Sequence, residues 1–294
     1  MTGSPAPETS VAADRAAVVA AAVTALFVPG DRPDRYRKAA VSGADVVIID
    51  LEDAVAPGAR ADALASVTAA LADPPELAAL VRMTAIGTPT HDDEISALAR
   101  LAGTRQSGLL GVVVPKAQDP DAVGALARQL HGHDPRLAVV ALIESAAGVL
   151  TCAQLAAVPG VTRLALGAID LTSDVDAELD SPIVTHAMAA LVLASRAHAL
   201  AGPLDSPATA IKDADAVAAS ARAGRAAGFT GKLCIHPAQI SAVRAAFHPT
   251  TDQLAWARKV IAAGDAAVQI DGHMIDKPVI DKAHRILRRA GMDH

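Results

Sequence analysis

Aromatic side chains are almost missing from this chain: three Phe, one Tyr and one Trp in 294 residues. Single-stranded nucleic acid is gripped by stacking on aromatic rings, so the scarcity argues against that partner. A basic excess is lacking too. The 26 Lys and Arg face 32 Asp and Glu, for a net charge of −6, which leaves no basic stripe for nucleic acid or an anionic membrane. Cysteine is down to two, Cys152 and Cys234, far apart and in no CxxC or Cys/His cluster. They read as free thiols of a reducing compartment, and a cytoplasmic location is expected. No apolar run reaches the roughly 18–20 residues of a membrane span. The nearest imitation of a targeting segment is Ala16–Val28 behind Arg15. It lacks a small-residue cleavage site and ends in Phe27-Val28-Pro29-Gly30, which reads as a strand meeting a loop.

Apolar residues, by contrast, make up 52% of the chain, much of it alanine suited to helices lying close on a sheet. Strand-like runs recur at Thr24–Val28, Asp45–Asp50, Ala79–Met83, Leu110–Val114, Val139–Ile143, Arg163–Leu166, Pro203–Asp205 and Lys232–Ile235, with helical stretches between them. Continuous apolar strands alternating with helices predict a parallel sheet covered on both faces, and eight such units predict an α/β fold of the TIM-type (β/α)8 barrel. Residues 1–22 are expected to form a flexible or helical leading segment, the first dozen disordered, and 23–249 the barrel. Residues 250–294 then form a C-terminal helical extension, with helices over Thr251–Val268 and Val279–Ala290 and a loop over Gly272–Pro278.

Nearly every predicted strand ends on a polar group: Pro29-Gly30, Asp50, Arg82, Lys116, Glu144, Asp170, Asp205 and His236. Barrel active sites are assembled at the C-terminal ends of the strands, so this ring is the expected site. Glu144 and Asp170 stand out because each follows a run that looks buried, where a carboxylate is costly unless compensated. A shared divalent cation is the simplest compensator, since Mg²⁺ is held by one or two carboxylates plus waters and substrate oxygens. The alternative is that each acid caps the next helix or pairs with Arg or Lys.

Several strings, taken in order, carry a family signature. They are Leu26-Phe27-Val28-Pro29-Gly30 with Arg32 and Lys38, Asp50-Leu51-Glu52-Asp53-Ala54-Val55, Val81-Arg82, Pro115-Lys116, Ile143-Glu144, Gly167-Ala168-Ile169-Asp170-Leu171, and Gly231-Lys232 with Ile235-His236-Pro237-Ala238-Gln239. Together they resemble the HpcH/HpaI aldolase/citrate lyase family, in its citrate lyase beta-subunit-like branch, over roughly residues 24–290. Relatives there include malyl-CoA and citramalyl-CoA lyases. The resemblance implies a barrel of the phosphoenolpyruvate/pyruvate type that makes or breaks a carbon–carbon bond beside a 2-oxo acid. It implies Mg²⁺, with Mn²⁺ as an alternative, held by Glu144 and Asp170, and CoA as part of the substrate. Arg82 is then the substrate and catalytic arginine, Glu144 also touches substrate, and Arg32 and Lys38 meet the CoA phosphates. Asp276 matches a catalytic acid on a C-terminal loop that reaches a neighbouring subunit, which calls for a homo-oligomer, a trimer or hexamer.

Two departures bear on substrate choice. Ala22-Val23 stand where the family often has Arg-Ser, and Thr84 where it often has Asn. Thr84 offers one hydroxyl in place of an amide's donors and acceptor. The expected reaction is cleavage or formation of a short β-hydroxyacyl-CoA of the malyl, citramalyl or citryl type. Its rivals are an acyl-CoA thioester hydrolase on the same scaffold, a class II pyruvate aldolase on free hydroxy-oxo acids, and a non-catalytic metabolite-binding protein.

Overall fold

The computed structural model describes residues 14–72, 77–104, 106–263, 269–270 and 273–292. The expectations for residues 1–12 and for Gly272 lie outside them, as does the end of the helix expected to reach Val268. Among the described residues, no helix is long and apolar enough to cross a membrane. The chain divides into two compact units, residues 1–243 and 244–294.

The first unit is a closed barrel of eight parallel strands in sequence order: β1 Thr24–Pro29, β2 Val46–Asp50, β3 Ala79–Arg82, β4 Leu109–Val114, β5 Ala138–Ile143, β6 Val161–Leu166, β7 Ala201–Asp205 and β8 Gly231–Cys234. Strand β1 pairs with both β2 and β8, which closes the ring and leaves no edge. The Val- and Ile-rich run of β2 and the Ala- and Val-rich run of β5 are buried along their whole length, as strands covered on both faces must be. The expected strands all appear, with boundaries shifted by a residue or two.

Helices α1 Arg15–Ala21, α2 Tyr36–Ala40, α3 Arg60–Ala72, α4 His91–Ala102, α5 Pro120–His131 and α6 Ala146–Ala157 come before β6. Two helices, α7 Ala168–Val175 and α8 Pro182–Ala197, follow β6, and α9 Ala214–Ala227 leads into β8. Helix α10, Ile240–Phe247, crosses the boundary between the units. Period-2 alternation sends Val46 and Ile48, Val140 and Leu142, Ala165, Leu204 and Leu233 into the barrel, where small Ala25 and Ala138 alternate with larger residues. Each fully buried Ile or Leu there contributes about 1.5–3 kcal/mol of transfer free energy.

The lower mouth, at the N-terminal ends of the strands, is sealed by α1, whose Val19 joins the barrel core together with Ala22 just beyond it. Two arginines make the seal. Arg163, wholly buried at the start of β6, donates from Nη1 to the carbonyls of Val19 and Ala22 at 3.1 and 2.6 Å. Its Nε donates to Gly202 O at 2.6 Å and its Nη2 to Thr230 Oγ1 at 2.7 Å. Arg15 donates to Leu109 O and Ser107 O, both at 2.8 Å, and lies 3.3 Å from Asp134. Burial pulls both guanidiniums below their ordinary range.

In the second unit, α11 Thr251–Ala262 begins with a capping box between Thr250 and Gln253. A two-strand antiparallel pair, β9 Gln269–Ile270 and β10 His273–Met274, stands where part of a loop was expected. Helix α12, Lys277–Arg289, then packs Ala283, Ile286 and Leu287 against Ala257 and Val260 of α11. The spacing of those three places them on one face of α12.

Candidate active site

The upper mouth is built by the turns that follow the strands. Glu144 comes directly after β5, and the cap of the next helix is Ser145, whose hydroxyl accepts from Gly148 N at 3.1 Å. Gly167 holds the cap position after β6, and Asp170 lies in the first turn of α7. Neither acid is therefore spent as a cap. An acid in a first turn is favoured by the helix dipole, but that interaction leaves its oxygens available.

Both acids line one cavity of about 380 Å³, a volume suited to a small metabolite. Arg82 lines it as well, with Phe27, Leu142 and Leu233 among its apolar walls. Glu144 is 3% exposed; its Oε1 accepts from Lys116 N at 2.7 Å, and its Oε2 has no hydrogen-bond partner among the described residues. A Cβ added at Gly167 would lie 2.5 Å from that Oε2, so only glycine lets the β6 turn lie against the carboxylate. Burial, then Glu52 and Asp170, push the Glu144 carboxyl up to about 8 against the opposing Lys116 N–H. The Asp170 carboxylate makes no hydrogen bond or ion pair among the described residues.

Arg82 and Asp50 are cross-strand partners on β3 and β2. The Nε and Nη2 of Arg82 donate to the two Asp50 oxygens, both at 2.7 Å, and the ring of Phe27 lies 4.9 Å below the guanidinium. Its Nη1 faces Glu52 Oε2 at 3.3 Å and Asp53 Oδ2 at 3.1 Å. Asp50 also accepts from the backbone of Glu52 and Ala54, so its carboxylate is saturated. Asp50 thus holds one edge of the guanidinium fork by hydrogen bonds, and Nη1 on the other edge faces the carboxylates of Glu52 and Asp53.

Glu52 stands at the centre of the charge network. It is 5% exposed, takes the Lys116 ammonium on Oε1 at 2.7 Å and keeps Oε2 buried without a hydrogen bond. Burial, opposed by Arg82 and Lys116, raises its carboxyl. Lys116 itself has φ of 48°, in the left-handed region. For a non-glycine residue that conformation costs on the order of 1 kcal/mol.

Three strand-end residues go elsewhere. Asp205 forms a buried ion pair with Lys232 of β8, and a Cβ at Gly224 of α9 would run into its carboxylate. It therefore points out of the barrel toward the helices. His236 accepts from Ala238 N as the cap of a short 3-10 turn. Thr84 is 1% exposed and commits its hydroxyl to Glu94 and to Thr88 and Thr90, away from the cavity. Nothing in the composition marked these orientations; for Asp205 the clue was the strand parity, Leu204 facing in and its neighbour out.

A second cleft of about 450 Å³ shares Phe27, Val28, Pro29 and Ile235 with the first. Arg32, Arg35, Lys38 and His236 line it. Arg32 is held by Asp34 through bonds of 2.9 and 3.0 Å. In the second unit, Asp276 is exposed and caps α12, accepting from Val279 N at 3.2 Å.

The donor set fits a small hard cation. Among the described residues, no group of three or more His, Cys, Asp or Glu is arranged to hold a metal. Two carboxylates suffice for Mg²⁺, which retains waters and substrate oxygens. A Glu144 oxygen without a donor, facing the turn that carries Asp170, is the kind of group such an ion completes.

Known proteins resemble this chain in sequence and fold. The family described as HpcH/HpaI aldolase/citrate lyase matches residues 23–237. A citrate lyase subunit beta-like protein of Deinococcus radiodurans is 36% identical over 277 residues, 89% of this chain and 95% of that protein. An L-malyl-CoA/beta-methylmalyl-CoA lyase of Cereibacter sphaeroides is 31% identical, covering 91% of this chain and 94% of its own. A (3S)-malyl-CoA thioesterase of the same species is also 31% identical, covering 90% and 93%. Among solved structures, the protein CitE of Mycobacterium tuberculosis in complex with magnesium, acetoacetate and coenzyme A aligns with a TM-score of 0.79 at 35% identity, covering 92% of this chain and 98% of that one.

Proposed function

Since the chain belongs to the HpcH/HpaI aldolase/citrate lyase family and is a carbon–carbon lyase, we propose that it cleaves or forms a short β-hydroxyacyl-CoA of the malyl, citramalyl or citryl type. The products of cleavage are a 2-oxo acid and an acyl-CoA. The observation that carries this reading is the pairing of Glu144 and Asp170 at neighbouring turns, facing one cavity with Arg82. Glu144 and Asp170 are the residues that would hold Mg²⁺, or Mn²⁺ in its place. When bound, the ion supplies a Lewis acid for the hydroxy-acid oxygens.

The protein's own groups divide the remaining work. Arg82, its orientation set by Asp50, is assigned to the carboxylate of the small acid, which must compete with Glu52 and Asp53 for its Nη1 edge. The apolar walls exclude water from the reacting carbons. Loss of the β-hydroxyl proton to solvent lets its oxygen form the new carbonyl as the carbon–carbon bond breaks. The electron pair passes to the thioester as an enolate, which needs a proton at carbon. Asp276 is assigned to deliver it, serving the cavity of a neighbouring subunit in a homo-oligomer, a trimer or hexamer. Arg32 and Lys38 in the adjoining cleft are assigned to the CoA phosphates.

The test is incubation with malyl-CoA and citramalyl-CoA, with and without Mg²⁺, reading 2-oxo acid and free thiol together. Release of 2-oxo acid without thiol supports the lyase. The similarity to a malyl-CoA thioesterase favours a second reading, hydrolysis, which thiol release without 2-oxo acid would establish. Mixing inactive Asp276→Asn and Glu144→Gln subunits should restore activity if the tail serves in trans. No recovery after verified subunit exchange would remove that assignment.

A further inference from the structure

We propose that Asp174 and Ser206 are positioning residues that hold helix α7 so that Asp170 meets the cation shared with Glu144. The inference rests on the metal-site reading above. Among the described residues the Asp170 carboxylate has no hydrogen bond of its own, so its place is set by the backbone that carries it. That backbone is the eight-residue α7, whose start is tied to β5 by Gly167 N donating to Ile143 O at 2.9 Å. Burial of Ala168 and Leu171 holds the helix down, but apolar contact is non-directional. Directional bonds from two side chains fix its pose.

The hydroxyl of Ser206, just past β7, accepts from Ala168 N at 2.6 Å and donates to Leu166 O at 2.8 Å. It clasps the turn on both sides of Gly167. One helical turn beyond Asp170, the carboxylate of Asp174 accepts from Ala146 N at 2.7 Å. Ala146 opens α6 two residues after Glu144, and its N–H has no acceptor within that helix. Asp174 therefore bridges the element that carries one acid to the element that carries the other. Neither Asp174 nor Ser206 lines the cavity, so both act through Asp170 rather than on the cation or the substrate. Mg²⁺ demands near-ideal octahedral geometry, whereas Ca²⁺ accepts longer and more flexible coordination. A loosened α7 should thus cost Mg²⁺ more than Ca²⁺.

Calorimetric titration of the metal-free protein with MgCl₂ and CaCl₂ tests this. Asp174→Ala and Ser206→Ala should each bind Mg²⁺ about tenfold more weakly, a change of the size seen for groups around metal ligands. The loss for Ca²⁺ should be smaller in both. Asp174→Asn keeps an acceptor for Ala146 N without the charge, and Ser206→Thr keeps the hydroxyl; each should recover most of the Mg²⁺ affinity. Asp174 is exposed, so its variants carry the test if Ser206→Ala folds poorly. Arg163→Met, which weakens the barrel from the other mouth, should leave Mg²⁺ affinity unchanged. Unaltered Mg²⁺ binding in both alanine variants, or an equal loss in Arg163→Met, would overturn the inference. So would Asp174→Asn binding as weakly as Asp174→Ala with equal losses for the two ions, which would assign the effect to charge. Wild-type protein that takes up no Mg²⁺ would overturn the metal-site reading, and this inference with it.

Discussion

The two mouths of the barrel both bury charge, and they treat it in opposite ways. At the lower mouth, Arg163 directs its donors at three carbonyls and a hydroxyl, and Arg15 meets two carbonyls and Asp134. At the upper mouth, Glu144 and Glu52 each keep an oxygen without a donor, and Asp170 has no partner among the described residues. Saturated charge ties elements together; unsaturated charge waits for a ligand. The difference tells a structural end from a reactive one without reference to any relative.

The comparison breaks most visibly at Glu144. Glu144→Gln should lower Mg²⁺-dependent turnover by about 10³-fold, the several kcal/mol a Lewis acid supplies, while the metal-free protein melts no lower than wild type. A fall in melting temperature would mean that the carboxylate holds the fold. At the other mouth the pattern should invert. Arg163→Met orphans the carbonyls of Val19, Ala22 and Gly202 and should cost about 3 kcal/mol or more in urea unfolding, with Mg²⁺ affinity unchanged. Arg15→Met removes fewer bonds and should cost about 2 kcal/mol by the same measurement. A loss of metal binding in either arginine variant would show that the mouths are not independent.

Titration sharpens the contrast further. Glu144 carries a proton in the metal-free protein up to about pH 8, whereas its ordinary value is 4.5. The folded state therefore holds a proton that the unfolded state has released between those two values. Metal-free stability should fall as pH rises through that window, by at most about 1.4 kcal/mol per unit, and level off above it. Mg²⁺ must displace the same proton, so its affinity should rise about tenfold per unit toward pH 8. Glu144→Gln should flatten both slopes, and Arg163→Met should leave them intact.

Much of this was legible in the sequence, for definite reasons. Continuous β-branched runs such as Val46–Asp50 announce buried parallel strands, and an acid placed directly after one, as in Ile143-Glu144, announces an unpaid desolvation. The resemblance supplied Arg82, and the structure adds that Asp50 holds two of its nitrogens while the third faces Glu52 and Asp53. Side-chain direction was harder to read. Asp205 ends a strand as Asp50 does, yet one residue of parity turns it toward Lys232 and α9. Glu52, Lys116 and Arg163 each have a partner 64 or more positions away, and no local pattern encodes such partners. Thr84 was read as a change in the substrate pocket, but the hydroxyls of Thr88 and Thr90 and the carboxylate of Glu94 claim it first.

The seal of the lower mouth also has a bearing on how the chain is made. Helix α1 is the earliest described element to leave the ribosome, yet the arginine that anchors it lies 144 positions beyond Val19. That arginine is itself steadied by Gly202 and Thr230, which emerge later still. At 5–20 residues per second, roughly 10–40 s separate the synthesis of Ala22 from that of Thr230. During that interval α1 has no finished surface to close, and the half-built barrel exposes an open strand edge of the kind that recruits other chains. That exposure ends only when the last strand meets the first.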